Sequence, residues 1–171
     1  MNPVAQKVIY NYHSYIQFLP KTEQEILNYF KKGLKQKEIA VLRGTTQGAI
    51  SSRLSRIKKR LAFIRDLRKF QIDDQDLDRF GPLNKAILKT MAETTCQSET
   101  ASRMNNLFNL SGDSRMTQIK VRHRYGKCLV EMKKLSDKDP NGVYPQYLKF
   151  FTLIKTHLYT LHEVRLPHFG N

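Results

Sequence analysis

The 171-residue sequence predicts an all-α protein, and three observations carry that expectation. Apolar residues recur at spacings of three and four in the long segments, most regularly at Ile50, Leu54, Ile57, Leu61 and Ile64. That is the pattern of a helix with one buried face. Pro20, Gly33, Gly44 and Gly81-Pro82 punctuate the chain between such segments. Finally, a tight turn at Arg43-Gly44-Thr45 joins two of the segments, and the small Ala40 ahead of it permits close crossing. The expected architecture is tandem helix-turn-helix modules with flanking N- and C-terminal amphipathic helices.

Hydrophobic residues make up 40%, enough for a folded core, while the net charge is +15. A balance this basic points to a polyanion, with nucleic acid ahead of an anionic membrane. The charge is segregated: residues 20–70 carry 14 basic and 4 acidic side chains, and residues 81–135 carry 10 and 4. Between them, residues 71–80 set Arg79 against Asp73, Asp74, Asp76 and Asp78. The expected divisions are therefore 1–70, an acidic linker at 71–82, a second module at 83–135, and a loop with a C-terminal helix at 136–171.

No run of about eighteen apolar residues is present, so no membrane span is expected. The N-terminus lacks the pattern of a signal peptide. Cys96 and Cys128 fall outside any CxxC spacing and suit buried thiols in a reducing compartment. These features together predict a cytoplasmic location.

In chain order, Val8, Tyr12, Tyr15, Ile16 and Leu19 share one helical face, widened by Tyr10 and Phe18. The face suits packing on the first module or docking of a protein partner. Pro20 starts the next helix, with Glu23 and Glu25 near its positive end, or Thr22 and Glu25 form a capping box. Ile26, Leu27, Phe30 and Leu34 face inward, and Gly33 ends the helix. A short helix over residues 36–42 turns Ile39 and Leu42 inward. Thr46 caps the third helix. Its outer face carries Gln47, Gly48, Ser51, Ser52, Ser55, Lys58 and Lys59. Short polar residues let a backbone come close to base edges, while Arg53, Arg56, Lys58, Lys59 and Arg60 suit phosphates.

The stretches GLKQKEIA and TTQGAISSRLSRIKKRL resemble the helix-turn-helix of LuxR-type regulators and of sigma-factor region four. Those families read promoter DNA in the major groove with the third helix. The resemblance covers residues 19–64 and carries DNA binding onto Lys37, Thr46, Gln47, Ser51, Ser52, Arg53, Arg56, Lys58 and Lys59. Thr46, Gln47, Ser51 and Ser52 would contact bases, and Arg53 and Arg56 phosphates. Arg43 and Thr45 stand where the family usually has apolar residues, and Ser51 where LuxR-type proteins often carry a base. The third helix is expected to run on through Asp66, Leu67 and Phe70. Its apolar seam suits a homodimer contact or packing on the N-terminal helix.

The second module reads as a diverged copy. Ile26-Leu27 aligns with Ile87-Leu88 and Ala40 with Ala101, while Thr46-Gln47 aligns with Thr117-Gln118, Ile50 with Val121 and Arg53 with Arg124. About ten extra residues around NNLFNLSGDSR would lie in the turn. The copy offers Thr117, Gln118, Lys120, Arg122, His123, Arg124 and Lys127 as a second DNA-facing set. In the last helix Leu148, Phe151, Ile154, Leu158 and Leu161 mark one face, suited to core packing, a dimer or RNA polymerase. His157 and His162 are spaced too far apart to be a good ligand pair on one helix, and Pro167 ends the order.

No phosphate loop, HExxH or nucleophile elbow occurs. Neither an enzyme nor a cofactor is expected, and the run from Asp73 to Asp78 suits a linker better than a metal cluster. The function expected is a double-stranded DNA-binding transcription regulator, sigma-like or LuxR-like, with RNA polymerase as a candidate partner. The alternative is a DNA-packaging, replication or recombination accessory protein of a phage or other mobile element. A nuclease or recombinase would show itself by metal-dependent cleavage.

Overall fold

A computed structural model describes residues 2–161, with side chains to His157. Nine α-helices and no strand are found among the described residues. The chain divides into two compact units, 1–69 and 70–171.

The first unit contains α1 (Pro3–Tyr12), a 3₁₀ segment (His13–Phe18), α2 (Lys21–Lys31), α3 (Gln36–Leu42) and α4 (Gln47–Leu67). Asn2 caps α1 by accepting from the Val4 and Ala5 amides at 2.9 and 3.1 Å. The N-terminal face is split rather than one continuous helix. At Tyr12 the backbone leaves helical geometry, with φ −123° and ψ 18°, and the tighter winding that follows brings Leu19 into the core. Tyr10 does not widen the packed face, since it is 82% exposed.

Pro20 sits just before α2 with no side-chain cap, so the Thr22–Glu25 box is not formed. The Glu23 and Gln24 amides instead donate to the Pro20 carbonyl, each at 3.0 Å. Gly33 ends α2 at φ +86°, and the Leu34 amide closes the end on the Tyr29 carbonyl at 3.1 Å.

Ile26, Leu27 and Phe30 from α2, Ile39 and Ala40 from α3, and Ile50, Leu54, Ile57, Leu61 and Ile64 from α4 form one core with Val8 and Leu19. The α4 seam is thus covered within the unit, and α1 packs on it. Leu42 does not face inward; it is 58% exposed. At about 100° per residue, a buried face centred between Ile39 and Ala40 leaves Leu42 about 110° away. The third helix stops at Leu67. Phe70 belongs to the second unit, where its ring stacks on Phe150 at 4.2 Å between centroids.

The second unit contains α5 (Asp74–Leu77), a 3₁₀ turn (Asp78–Phe80), α6 (Pro82–Thr94), α7 (Gln97–Leu107), a second 3₁₀ turn (Gly112–Ser114), α8 (Gln118–Lys138) and α9 (Tyr144–Leu161). The acidic stretch expected as a linker is folded. Asp73 caps α5 through the Gln75 amide at 3.0 Å, and Leu77 is fully buried. Lys85 pairs with Asp78, and Lys89 with Asp74 at 2.9 Å. These lysines offset the like charges that would otherwise favour an extended chain.

Ile87, Leu88 and Met91 of α6, Met104 of α7, and Val121, Tyr125 and Met132 of α8 are buried, together with Phe151 and Ile154 of α9. The Tyr125 hydroxyl donates to the Phe151 carbonyl at 2.5 Å. The side chains of Leu158 and Leu161, and His162 and Pro167, lie outside the described residues.

Candidate nucleic-acid interface

The outward face of α4 is built by its seam. With Ile50, Leu54 and Ile57 buried, the 3.6-residue period turns Gln47, Gly48, Ser51, Ser52 and Ser55 to solvent. Lys58 and Lys59 continue the exposed face one turn on. Thr46 has a structural duty: its hydroxyl accepts from the Ala49 amide at 3.1 Å and fixes the start of the helix. Ala40, 4% exposed, lets α3 lie close to α4. Lys37 is exposed on the first turn of α3.

Two ion pairs hold this frame. Arg43, in the turn, donates to Glu25 at 2.8 Å, which accounts for a charged residue where an apolar one is usual. Gly44 takes φ +61° in the same turn, a region only glycine enters freely. Arg60, expected among the phosphate-contacting cations, is instead buried, 5% exposed. Its Nε lies 3.2 Å from Oε2 of Glu23, with 7% and 16% side-chain exposure. The register that buries Leu61 also rolls Arg60 inward. Burial pushes the Glu23 carboxyl up from its ordinary range. The charge of Arg60 opposes that shift most, followed by those of Arg56 and Arg53. Arg53 and Arg56 are therefore near Glu23, half-buried along the flank of α4. Sequence reasoning missed Glu23 and Glu25 as organisers of the arginines. Their partners lie 37 and 18 positions away, beyond any helical spacing.

The site thus offers short polar side chains on an exposed helix, bordered by cations. Residues 11–61 match the family model for sigma-70, region 4. No curated protein and no solved structure matches the chain. The sigma-70 region 4 family is a DNA-binding, transcription-related helix-turn-helix, and the matched segment covers α2, α3 and α4 as far as Leu61. The match leaves the second unit outside.

In that second unit, Thr117 caps α8 through the Lys120 amide at 3.2 Å, as Thr46 caps α4 in the matched segment. Arg122, His123, Arg124 and Lys127 are exposed on α8. Gln118 and Lys120 are engaged locally. Gln118 accepts from the Ser98 hydroxyl at 3.3 Å. The Lys120 ammonium donates to the Asp113 and Arg115 carbonyls at 2.8 and 2.9 Å.

Among the described residues no group of three or more His, Cys, Asp or Glu is placed to hold a metal ion. In the acidic run, Asp76 instead accepts from the Tyr147 hydroxyl at 2.8 Å. Cys96 and Cys128 are both free thiols, the first half-buried and the second buried. No described helix is long and apolar enough to cross a membrane.

Proposed function

We propose that the chain is a sequence-specific, double-stranded DNA-binding transcription regulator that reads the major groove with the start of α4. The observation that carries this reading is the face at Gln47, Gly48, Ser51 and Ser52, exposed on a helix whose other side is sealed in the core. It lies within the segment matching sigma-70 region 4. Gln47 has the two-ended amide that can pair with adenine in the major groove. Ser51 and Ser52 accept and donate with little bulk. Arg53, Arg56, Lys58 and Lys59 take phosphates, and Lys37 adds a contact from α3.

The test is selection from random duplex DNA, followed by footprinting of the enriched site. A single motif is expected. Gln47→Ala or Ser51→Ala should alter base preference, whereas Arg53→Ala with Arg56→Ala should weaken binding to every sequence. Enrichment of no motif refutes the reading and leaves an architectural DNA binder instead. A sigma-like role further requires that the chain bind purified RNA polymerase and start transcription at the selected site.

A further inference from the structure

The second unit repeats the three-helix plan of the first, with α6, α7 and α8 standing for α2, α3 and α4. The correspondence runs through buried and capping positions alike. Ile87 and Leu88 are as buried as Ile26 and Leu27, and Val121 is as buried as Ile50. α7 is longer than α3, so the two turns match as helix ends and not in the Ala40–Ala101 register. Each closes with a bond from the amide five residues on, Thr45 to the Ala40 carbonyl at 2.9 Å and Leu110 to the Asn105 carbonyl at 3.0 Å. Gly44 at φ +61° is matched by Asn109 at φ +52°, and asparagine is among the few residues that tolerate that region.

The outward faces differ in chemistry. Where α4 shows Gly48, Ser51 and Ser52, α8 shows Ile119, Arg122 and His123. Gln118 is tied to Ser98, and Lys120 is pinned to the longer turn. Cations dominate what remains, with Arg124 also donating to the Asn84 side-chain carbonyl at 3.2 Å. Beside them an open groove of about 690 Å³ has His123, Arg124, Lys120 and Lys127 on its cationic side and an apolar wall that includes Leu83 and Met116. Asp113 is the acidic residue in that lining.

We propose that the second unit is a further duplex-DNA contact, one that grips the phosphate backbone through α8 without reading sequence. Arg122, Arg124 and Lys127 form the grip, and His123 adds a donor. Gln118 and Lys120, the polar groups of the first turn of α8, are held by Ser98 and by the Asp113 and Arg115 carbonyls, which leaves them poorly placed for base edges, whereas charge alone suffices for phosphates. The duplex is inferred from the helical plan shared with the first unit, so the choice of duplex rests on the proposed function. The grip itself rests on α8.

The test compares the full chain with an Arg122→Gln/Lys127→Gln variant on two duplexes of equal length, one carrying the selected site and one scrambled. Affinity is read by fluorescence anisotropy across a salt series. Affinity for both duplexes should fall by the same factor, about tenfold. The slope of log affinity against log salt should drop by about 2, near 0.9 for each phosphate no longer neutralised. The ratio between duplexes should not move. Both side chains are exposed, so melting should be unchanged. If the double variant melts lower, Lys127→Gln alone decides, with an expected drop in slope of about 1.

Parental affinity and slope in these variants overturn the inference. An altered ratio between duplexes overturns its sequence-indifferent form, and tighter binding to single-stranded RNA than to duplex overturns the choice of ligand. An Arg53→Ala/Arg56→Ala variant in the same series separates the two readings. If it weakens while the α8 variants do not, only the second-unit contact fails.

Discussion

Replacing Arg60 with methionine strands the Glu23 carboxylate against an apolar side chain. Arg60 Nε lies 3.2 Å from Oε2 and 3.3 Å from Oε1 of Glu23. Only 7% and 16% of the two side chains reach solvent. Removing one partner of a buried pair costs about 3–5 kcal/mol. The residual exposure of Glu23 and its capacity to take up a proton put Arg60→Met near the lower bound, about 3 kcal/mol. For a unit of about seventy residues this corresponds to about 12–24 °C in Tm. Glu23→Gln removes the charge opposite the guanidinium but keeps an acceptor, so it should cost less than Arg60→Met, about 1–3 kcal/mol, while Glu23→Leu with Arg60→Met should recover most of the loss.

The pH dependence has a definite sign. Burial holds the Glu23 carboxyl above its ordinary value of 4.5. The native state therefore binds this proton more tightly than the unfolded chain does. The carboxyl's contribution to stability is full below pH 4.5 and lost as pH rises through the folded value. Arg60→Met should carry that decline to higher pH, and Glu23→Gln should abolish it. Urea denaturation of the whole chain, with amide exchange in α2 and α4 as the local probe, measures both effects. A loss below about 0.5 kcal/mol for Arg60→Met, the worth of an exposed pair, would refute the reasoning.

Three further outcomes are expected. Thr46→Ala and Thr117→Ala each remove a capping acceptor and should each cost about 1 kcal/mol by thermal denaturation; both being silent would show that water replaces the hydroxyls. Gly44 has φ +61° and no atom within 4 Å of where a Cβ would stand. Gly44→Val should therefore cost only backbone strain, about 1–2 kcal/mol, and Gly44→Asn less, with the reverse order counting against a left-handed turn. Burial pushes the Cys128 thiol to about 11, so in native protein at pH 8 a disulfide reagent should react first with half-buried Cys96. Peptide mapping identifies the labelled residue.

The α4 seam was legible because it is long. A repeat of 4, 3, 4, 3 over fifteen residues fixes the inward face, and with it the outward positions of Gln47, Ser51 and Ser52. Leu42 was misread because a seven-residue helix offers too few turns to separate an i+3 neighbour from an i+1 neighbour. Arg60 looked like its cationic neighbours. Only the chain's return past Glu23 makes it a core residue, and no local spacing records that. The stretch after Phe70 looked unstructured because its composition is acidic. Its one decisive apolar residue, Leu77, became meaningful only with lysines from the following helix beside Asp74 and Asp78. Thr117 caps its helix as Thr46 does, and such a cap can be read from sequence because it is a local device, whereas Asn105, Asn106 and Leu107, expected in the turn, extend α7.

The helix that completes each core comes from an end of the described chain. In the first unit α1 and the 3₁₀ segment after it lie over the α4 seam. In the second α9 lies along α8, with the Tyr125 hydroxyl fastened to it. Trimming by proteases would therefore be selective in its damage. Nicking near exposed Gln17 would open an apolar trough along α4 and leave α8 covered, while cutting near exposed Val143 would do the converse. Either lesion would yield a half-disarmed molecule that still holds one intact helical module, so partial digestion could dissect the two modules without any change of sequence.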